Sequence, residues 1–286
     1  MNNLLSRVYA VVVLYNCKVS ESETLITLNQ ALDAFDEKLP VLVYDNTKEV
    51  NINENNFSFS KLVVDYYHNP TNPGISSAYN LAITKGNQNN KSWLLLLDQD
   101  TSLNKDYFKE LISSIDNNSS NKDIVCYIPQ VVLKTGVQIS PSKLRPGGFS
   151  RTVTQIGIHK DSITAINSGT LIKIGFIETI GGFSSQFPLD MLDHWYFREI
   201  FYHKKLIYVL NIKNVHELSV KTFENSVSIN RYKIILEAEK EFYRSNFLNY
   251  FIYKYRLCCR LLKQLFYSDK TYFKMSFKSL IGNFIS

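Results

Sequence analysis

The chain opens on short unbroken apolar runs that alternate with stretches of helical period. Residues 8–14 form a continuous, valine-rich apolar run, the signature of a strand buried on both faces. Residues 20–35 then carry Leu25, Leu28, Leu32 and Phe35 at the spacing of one helix face, which completes a βα unit. A second buried strand over 41–44 ends in Asp45-Asn46, and a third over 61–67 follows an Asn-rich loop around 51–56. Residues 74–85 have helical period, and Trp93-Leu-Leu-Leu-Leu97 is a fourth strand. This alternation predicts an α/β fold, a mostly parallel sheet with flanking helices, whose ligands gather outside the carboxyl ends of the strands. Each of these strands runs out into polar residues at that end: Tyr15-Asn16, Asp45-Asn46, His68-Asn69 and Asp98-Gln99-Asp100.

The last of these ends carries the most chemistry. Residues two apart on an extended chain point the same way, so Asp98 and Asp100 can face one divalent cation at the sheet edge. The same residue types also start turns and cap helices, and Thr101 with Asp106 suits that role equally.

Charge alters the picture at the other terminus. The formal net charge is +6, yet residues 242–286 hold eight Lys or Arg against Asp269 alone, or +7, which leaves about −1 for residues 1–241. The basic tail is dense in Phe, Tyr and Leu over 247–256 and 261–267, so amphipathic helices are expected there. They lie either on an anionic membrane surface or packed on the main domain with a solvated basic face. No nucleic-acid recognition motif accompanies them. With 286 residues, 45% of them hydrophobic, the chain can bury a large core, and a catalytic domain with an appendage is expected. Cys17, Cys126, Cys258 and Cys259 show no paired metal spacing and fit a reducing cytoplasm. The start of the chain shows no secretory pattern, and no window reaches the roughly 18 uncharged apolar residues of a membrane-spanning helix. A cytoplasmic protein, at most at the inner face of the membrane, is the expectation.

Four blocks in order carry a resemblance: Val11-Val-Val-Leu-Tyr-Asn16, Val43-Tyr-Asp-Asn46, Asn69-Pro-Thr-Asn-Pro-Gly-Ile-Ser-Ser-Ala-Tyr-Asn80 and Leu96-Leu-Asp-Gln-Asp-Thr101. Together they resemble the nucleotide-binding and metal-binding blocks of family 2 glycosyltransferases, most of all the rhamnosyltransferase-like branch, over about residues 8–220. Asn167-Ser-Gly-Thr-Leu-Ile172 and Ile180-Gly-Gly-Phe183 resemble the acceptor-side segment of that family. Leu189-Asp-Met-Leu-Asp-His-Trp-Tyr-Phe-Arg198 resembles the helix that carries its catalytic base. The resemblance implies a Rossmann-like GT-A fold over 1–225, with a nucleotide half to about 101 and an acceptor half over about 102–225, then a helical region over 226–286. It further implies inverting transfer of a sugar, rhamnose in the nearest branch, from a dTDP- or UDP-sugar to a glycan or lipid-linked glycan, with Mn²⁺ or Mg²⁺, in bacterial cell-surface polysaccharide synthesis.

Within that resemblance each block has a physical reading beside a plainer one. Asp45 can accept the N3–H of a pyrimidine with Tyr15 and Asn16 beside the base, or form a turn. Asn72 and Gly74 lie where a helix start offers free N–H groups, and Asn80 faces the nucleotide or solvent. Asp100 holds the cation, with Asp98 on the metal or toward the ribose, and His216 either reaches the diphosphate or metal or is structural. Asp193 is expected as the acceptor-side base, with Asp190 the alternative, because many members carry Glu-Asp where this chain has Leu192-Asp193. A non-catalytic nucleotide or sugar-binding module would need no acceptor-side acid. A nucleotidyltransferase would be expected to carry a Gly-rich loop after its first strand, where this chain has Tyr15-Asn-Cys-Lys18.

Overall fold

The computed structural model describes residues 4–49, 58–144, 150–216, 227–245 and 247–282. The Asn-rich loop around 51–56 and the expected boundary near 225 lie outside the described residues. By its contacts the chain divides into two units, Met1–Ser142 with Thr152–Glu217, and Lys143–Arg151 with Leu218–Ser286.

The first unit is built on four parallel strands, β1 (Val8–Leu14), β2 (Leu39–Asp45), β3 (Leu62–His68) and β4 (Trp93–Asp98). After β4 come β5 (Thr101–Ser102), β6 (Ile124–Leu133), β7 (Gln138–Ser140), β8 (Ser142–Leu144), β9 (Ser150–Thr152), β10 (Gly157–His159), β11 (Thr170–Lys173) and β12 (Leu206–His216). The large sheet runs β10-β12-β6-β11-β4-β1-β2-β3, with β5 on β12 and β7 on β6. It is mostly parallel, but β11 runs antiparallel between β4 and β6. This mixed sheet with its flanking helices is the GT-A type of fold the sequence leads one to expect.

Strand β1 is buried on both faces, as its unbroken run of apolar residues requires. Val8, Ala10, Val12 and Leu14 point into one core with Leu25 and Leu28 of α1 (Glu23–Ala31) and with Tyr107, Phe108 and Leu111 of α3 (Tyr107–Asn117). Tyr9 faces the other way, against Gly86 of α2 (Ile75–Gln88), whose Ala78, Tyr79 and Ala82 are fully buried. Truncating Leu28, which has no solvent exposure, to Ala would cost about 2–5 kcal/mol.

Local chemistry sets the helix limits. The expected helix over 20–35 is a 3-10 turn, Val19–Glu21, followed by α1, because the Ser22 side chain caps the helix by accepting the Leu25 N–H at 3.4 Å. The acceptor-side segment holds α4 (Ile174–Thr179) and α5 (Leu192–Tyr202). Helix α5 starts only at Leu192, since Met191 at φ 65° takes the left-handed conformation and breaks the helical path from Asp190.

The helical part of the second unit comprises α6 (Ile229–Tyr243), α7 (Phe247–Gln264) and α8 (Thr271–Ile281). The two amphipathic tail stretches are thus mostly one helix, with no Gly or Pro between them to break it. Its inner face joins the others through Tyr250, Tyr253, Leu257 and Leu261, and through the half-buried Arg260, which bonds the buried Glu239 at 2.8 and 2.7 Å. Gln264 donates to the Tyr232 hydroxyl at 2.8 Å, and that hydroxyl also bonds Ser276.

Candidate active site

Parallel pairing sets the carboxyl ends of four strands side by side. Leu14 is opposite Asp45, Asp45 opposite His68, and Val13 opposite Asp98, so the polar residues that follow share one edge. Antiparallel β11 pairs Thr170 with Leu96, and continuing that register by two residues brings Ser168 beside Asp98. The pairing of β12 with β5 sets His216 opposite Thr101.

The two acids of the Asp98-Gln99-Asp100 motif are not side by side on one strand. Asp98 is the last residue of β4, and the chain turns at Gln99-Asp100 before β5, so the alternation argument for a shared direction does not hold there. They are brought together by their neighbours instead. Ser168 donates its hydroxyl to Asp98 Oδ2 at 3.0 Å, and its Oγ lies 3.5 Å from His216 Nδ1. That nitrogen is also 3.6 Å from Asp100 Oδ1 and 3.4 Å from Thr101 Oγ1. The turn itself is clamped by the start of α1: Thr24 Oγ1 donates to the Asp98 carbonyl and accepts from the Thr101 N–H at 2.9 Å, while Ser22 Oγ donates to the Gln99 carbonyl at 3.0 Å.

Burial pushes the Asp98 carboxyl up to about 6; His216 and the Ser168 bond pull it back, and the charges of Asp100 and Asp193 raise it further. Asp193 therefore lies within electrostatic reach of the strand edge. The Tyr79 phenol, fully buried, feels both acids as well: burial first, then Asp98 and Asp193, hold it well above the ordinary tyrosine value. Asp193 sits in the first turn of α5, its Oδ1 accepting the His194 N–H at 2.7 Å. Asp190 precedes the helix, so it does not share a helical face with Asp193. His194 is held through Nδ1 by the Thr164 hydroxyl at 3.1 Å.

At the far end of the edge, Asp45 is 4% exposed, with Oδ1 accepting the Thr47 N–H at 2.8 Å and Oδ2 the Tyr66 hydroxyl at 2.7 Å. A carboxylate has about four lone-pair sites, so room remains for one more donor such as a pyrimidine N3–H. The Tyr15 ring is exposed, while its backbone is pinned by Gln99, whose Oε1 accepts the Tyr15 N–H at 2.7 Å and whose Nε2 donates to the carbonyl at 3.3 Å. Asn16 and Asn72 both take left-handed conformations, at φ 51° and 48°, which asparagine tolerates better than most residues. Cys17 lies between the two ends: burial, then the charges of Glu21, Asp45 and Asp100, push its thiol up.

Two expected nucleotide residues are engaged within the protein, one by hydrogen bonds and one by close backbone packing. Asn80 donates Nδ2 to the Phe183 carbonyl and accepts the Phe183 N–H on Oδ1, both at 2.8 Å, so its amide clamps the Gly181–Gly182 turn. Gly74, at φ 92°, abuts backbone: a Cβ there would lie 2.2 Å from the Pro188 carbonyl oxygen, and that oxygen accepts the Ser76 N–H at 3.1 Å. The α2 start thus holds the loop that leads to Asp190 and Met191. Phe183 in turn packs edge-on against Tyr79 and Tyr196, at 5.1 and 5.6 Å, and Tyr196 donates to Asn167 at 2.7 Å.

A cation at this edge would find side-chain donors in Asp100 and His216. Among the described residues no group of three His, Cys, Asp or Glu could hold a metal alone. Two hard or borderline donors fit a Mg²⁺- or Mn²⁺-like ion that takes its remaining ligands from a diphosphate and water, the usual habit of such ions at phosphate sites.

Sequence reasoning missed Ser168, Thr24, Gln99, Tyr66 and Tyr79. None of the five left a sign in the sequence, because each acts through a partner far along the chain.

The family model "Glycosyl transferase family 2" matches residues 9–177, more than half of the chain. A dTDP-rhamnosyl transferase, RfbF of Shigella flexneri, is 24% identical over 226 residues, covering 76% of this chain and 71% of its own. Among solved structures, S. aureus TarS 1–349 in complex with UDP-GlcNAc is similar at a TM-score of 0.54 with 14% identity, over 96% of this chain and 81% of that one. A second S. aureus TarS structure gives 0.52 and 14% over 92% of this chain, which spans only 44% of it. At these identities the structures speak to the fold.

Proposed function

The chain belongs to glycosyl transferase family 2, and on that premise we propose that it is an inverting enzyme that moves a sugar, rhamnose in our reading, from a dTDP- or UDP-sugar to a glycan acceptor during bacterial cell-surface polysaccharide synthesis. The observation that carries this reading is the convergence of Asp98, Asp100, Ser168 and His216 at one strand edge within electrostatic reach of Asp193. The similarity to a dTDP-rhamnosyl transferase supports the choice of sugar, and a UDP-sugar complex among structures of this fold supports a pyrimidine nucleotide diphosphate.

In this proposal Asp45 accepts the N3–H of the base, with Tyr15 and Asn16 beside it and Asn72 at the rim. Asp98 accepts a ribose hydroxyl, its carboxylate held in place by Ser168. Asp100 and His216 hold Mn²⁺ or Mg²⁺, which when bound supplies positive charge to the departing diphosphate. Asp193 takes the proton of the acceptor hydroxyl as that oxygen bonds to the anomeric carbon. The bond from that carbon to the β-phosphate oxygen breaks at the same time, its electron pair leaving with the nucleotide diphosphate. A single displacement inverts the anomeric centre. Gly74 and Asn80 act at one remove, fixing the segment between α4 and α5 at Pro188 and at Phe183.

The acceptor is a glycan carried on a lipid at the inner face of the cell membrane, with the protein on the cytoplasmic side. Transfer from dTDP-rhamnose and a set of UDP-sugars, followed by release of the nucleotide diphosphate, tests the reaction. The product anomer read by NMR should be inverted; retention, or no acceptor-dependent release with any pyrimidine donor, overturns the proposal.

A further inference from the structure

Helix α7 is apolar on two faces, and its neighbours α6 and α8 use only one of them. Tyr250, Tyr253, Leu257 and Leu261 are buried, while Phe247, Phe251, Tyr255, Cys258 and Leu262 are exposed. At about 100° per residue those five fall within an arc of about 80°, a continuous outer stripe along the helix. Phe251 is 56% exposed, Leu262 64%, and Phe266 just past the helix end 90%. Helix α8 repeats the arrangement on a smaller scale: Phe273 stacks on Phe277 at 6.3 Å, and Phe277 and Ile281 are exposed, with the exposed Lys274 and Lys278 following the two phenylalanines in sequence.

We propose that this outer face of the helical unit docks on an anionic lipid bilayer. The aromatic and aliphatic stripe enters the headgroup region, and Lys263, Lys274 and Lys278 meet the lipid phosphates. Charge complementarity selects this occupant: residues 242–286 carry +7 with one acid, so two copies meeting here would repel, while an anionic surface attracts. Among the described residues no helix is long and apolar enough to cross a membrane, so the contact is peripheral. The inference deepens the proposed lipid-linked acceptor, and it stands or falls separately because vesicle binding needs no sugar donor.

The full chain should co-sediment with phosphatidylcholine/phosphatidylglycerol vesicles at low salt, and hardly at all with phosphatidylcholine alone. Phe251→Ser combined with Leu262→Ser should lower partitioning about tenfold or more at every salt concentration, with an unchanged thermal midpoint because both side chains are exposed. Lys274→Gln combined with Lys278→Gln should lower it about fivefold per charge at low salt and little at high salt. No sedimentation with anionic vesicles at low salt overturns the proposal, as does equal binding by the stripe variant. A dimer that the stripe variant dissociates, without vesicle binding, makes a second copy the occupant instead. Unchanged pyrimidine nucleotide binding in the stripe variant shows that the donor reading is unaffected by either result.

Discussion

Asp45 and Asp98 each end a parallel strand of the same sheet and lie at the same edge, yet their surroundings differ. Asp45 has a backbone N–H on one oxygen and the Tyr66 hydroxyl on the other, and among the described residues no acid bonds into the cluster. Asp98 has one hydroxyl donor, loses hydration by burial, and lies in the field of Asp100 and Asp193. One end of the edge is a settled polar cluster that needs only a neutral donor; the other is crowded with negative charge. Concentrated negative charge of this kind is costly in the free protein and favourable once cationic charge arrives, and such arrangements mark functional sites.

The sharpest way to break this comparison is at the acceptor side of the crowded end. Asp193→Asn should keep donor affinity and reduce transfer by about 10²–10⁴, the usual worth of a positioned general base. Asp190→Asn should leave the rate nearly unchanged, and the reverse pattern in steady-state kinetics would move the base to Asp190.

Next in size is the backbone contact that aims α5. Gly74→Ala puts a Cβ against the Pro188 carbonyl at a positive φ, so a loss of about 2–4 kcal/mol in denaturant unfolding is expected. A variant as stable as the parent would mean that the α2–Pro188 contact is not what holds the Asp190–Asp193 loop.

How much of this was legible in the sequence follows from which interactions are local. Strands β1, β2 and β4 are apolar on both faces and announce themselves, β3 is the half-exposed outer strand, and the polar residues at the ends of all four mark the edge where the site lies. Ser168 could not be found that way, because it reaches Asp98 only through β11 inserting antiparallel between β4 and β6, across 70 residues of sequence. Gly74 and Asn80 match nucleotide-binding blocks in sequence, but their packing against Pro188 and Phe183 depends on partners about a hundred residues away. The start of α5 at Leu192 is not legible in the sequence, because the left-handed Met191 carries no sequence sign, unlike a glycine in that conformation.

The charge crowding itself has a pH signature. A carboxyl raised to about 6 in the folded chain binds more protons there than when unfolded, so this group's contribution to stability falls as pH rises from the ordinary carboxylate range through about 6. The penalty is complete above that window and absent below it. Asp98→Asn keeps a partner for Ser168 and removes the charge, so it should stabilise the ligand-free protein by about 1–3 kcal/mol at pH 8 and hardly at all at pH 4. Equal effects at both pH values would show that Asp98 is not electrostatically strained. At the settled end the sign reverses and the effect is smaller. Tyr66→Phe leaves the buried Asp45 short of one donor and should cost about 1–2 kcal/mol, with transfer at saturating donor unchanged.

The central claim is that the crowded end is built to receive a cation together with a pyrimidine nucleoside diphosphate. Calorimetric titration of UDP and dTDP into the protein, with and without Mn²⁺, and again into Asp100→Ala, tests it most directly. Binding should strengthen at least tenfold with the ion, as expected for a ligand that completes its coordination, and the Asp100→Ala variant should lose that gain while retaining its fold. Binding of equal strength with and without Mn²⁺, or a gain that survives in Asp100→Ala, would contradict the account.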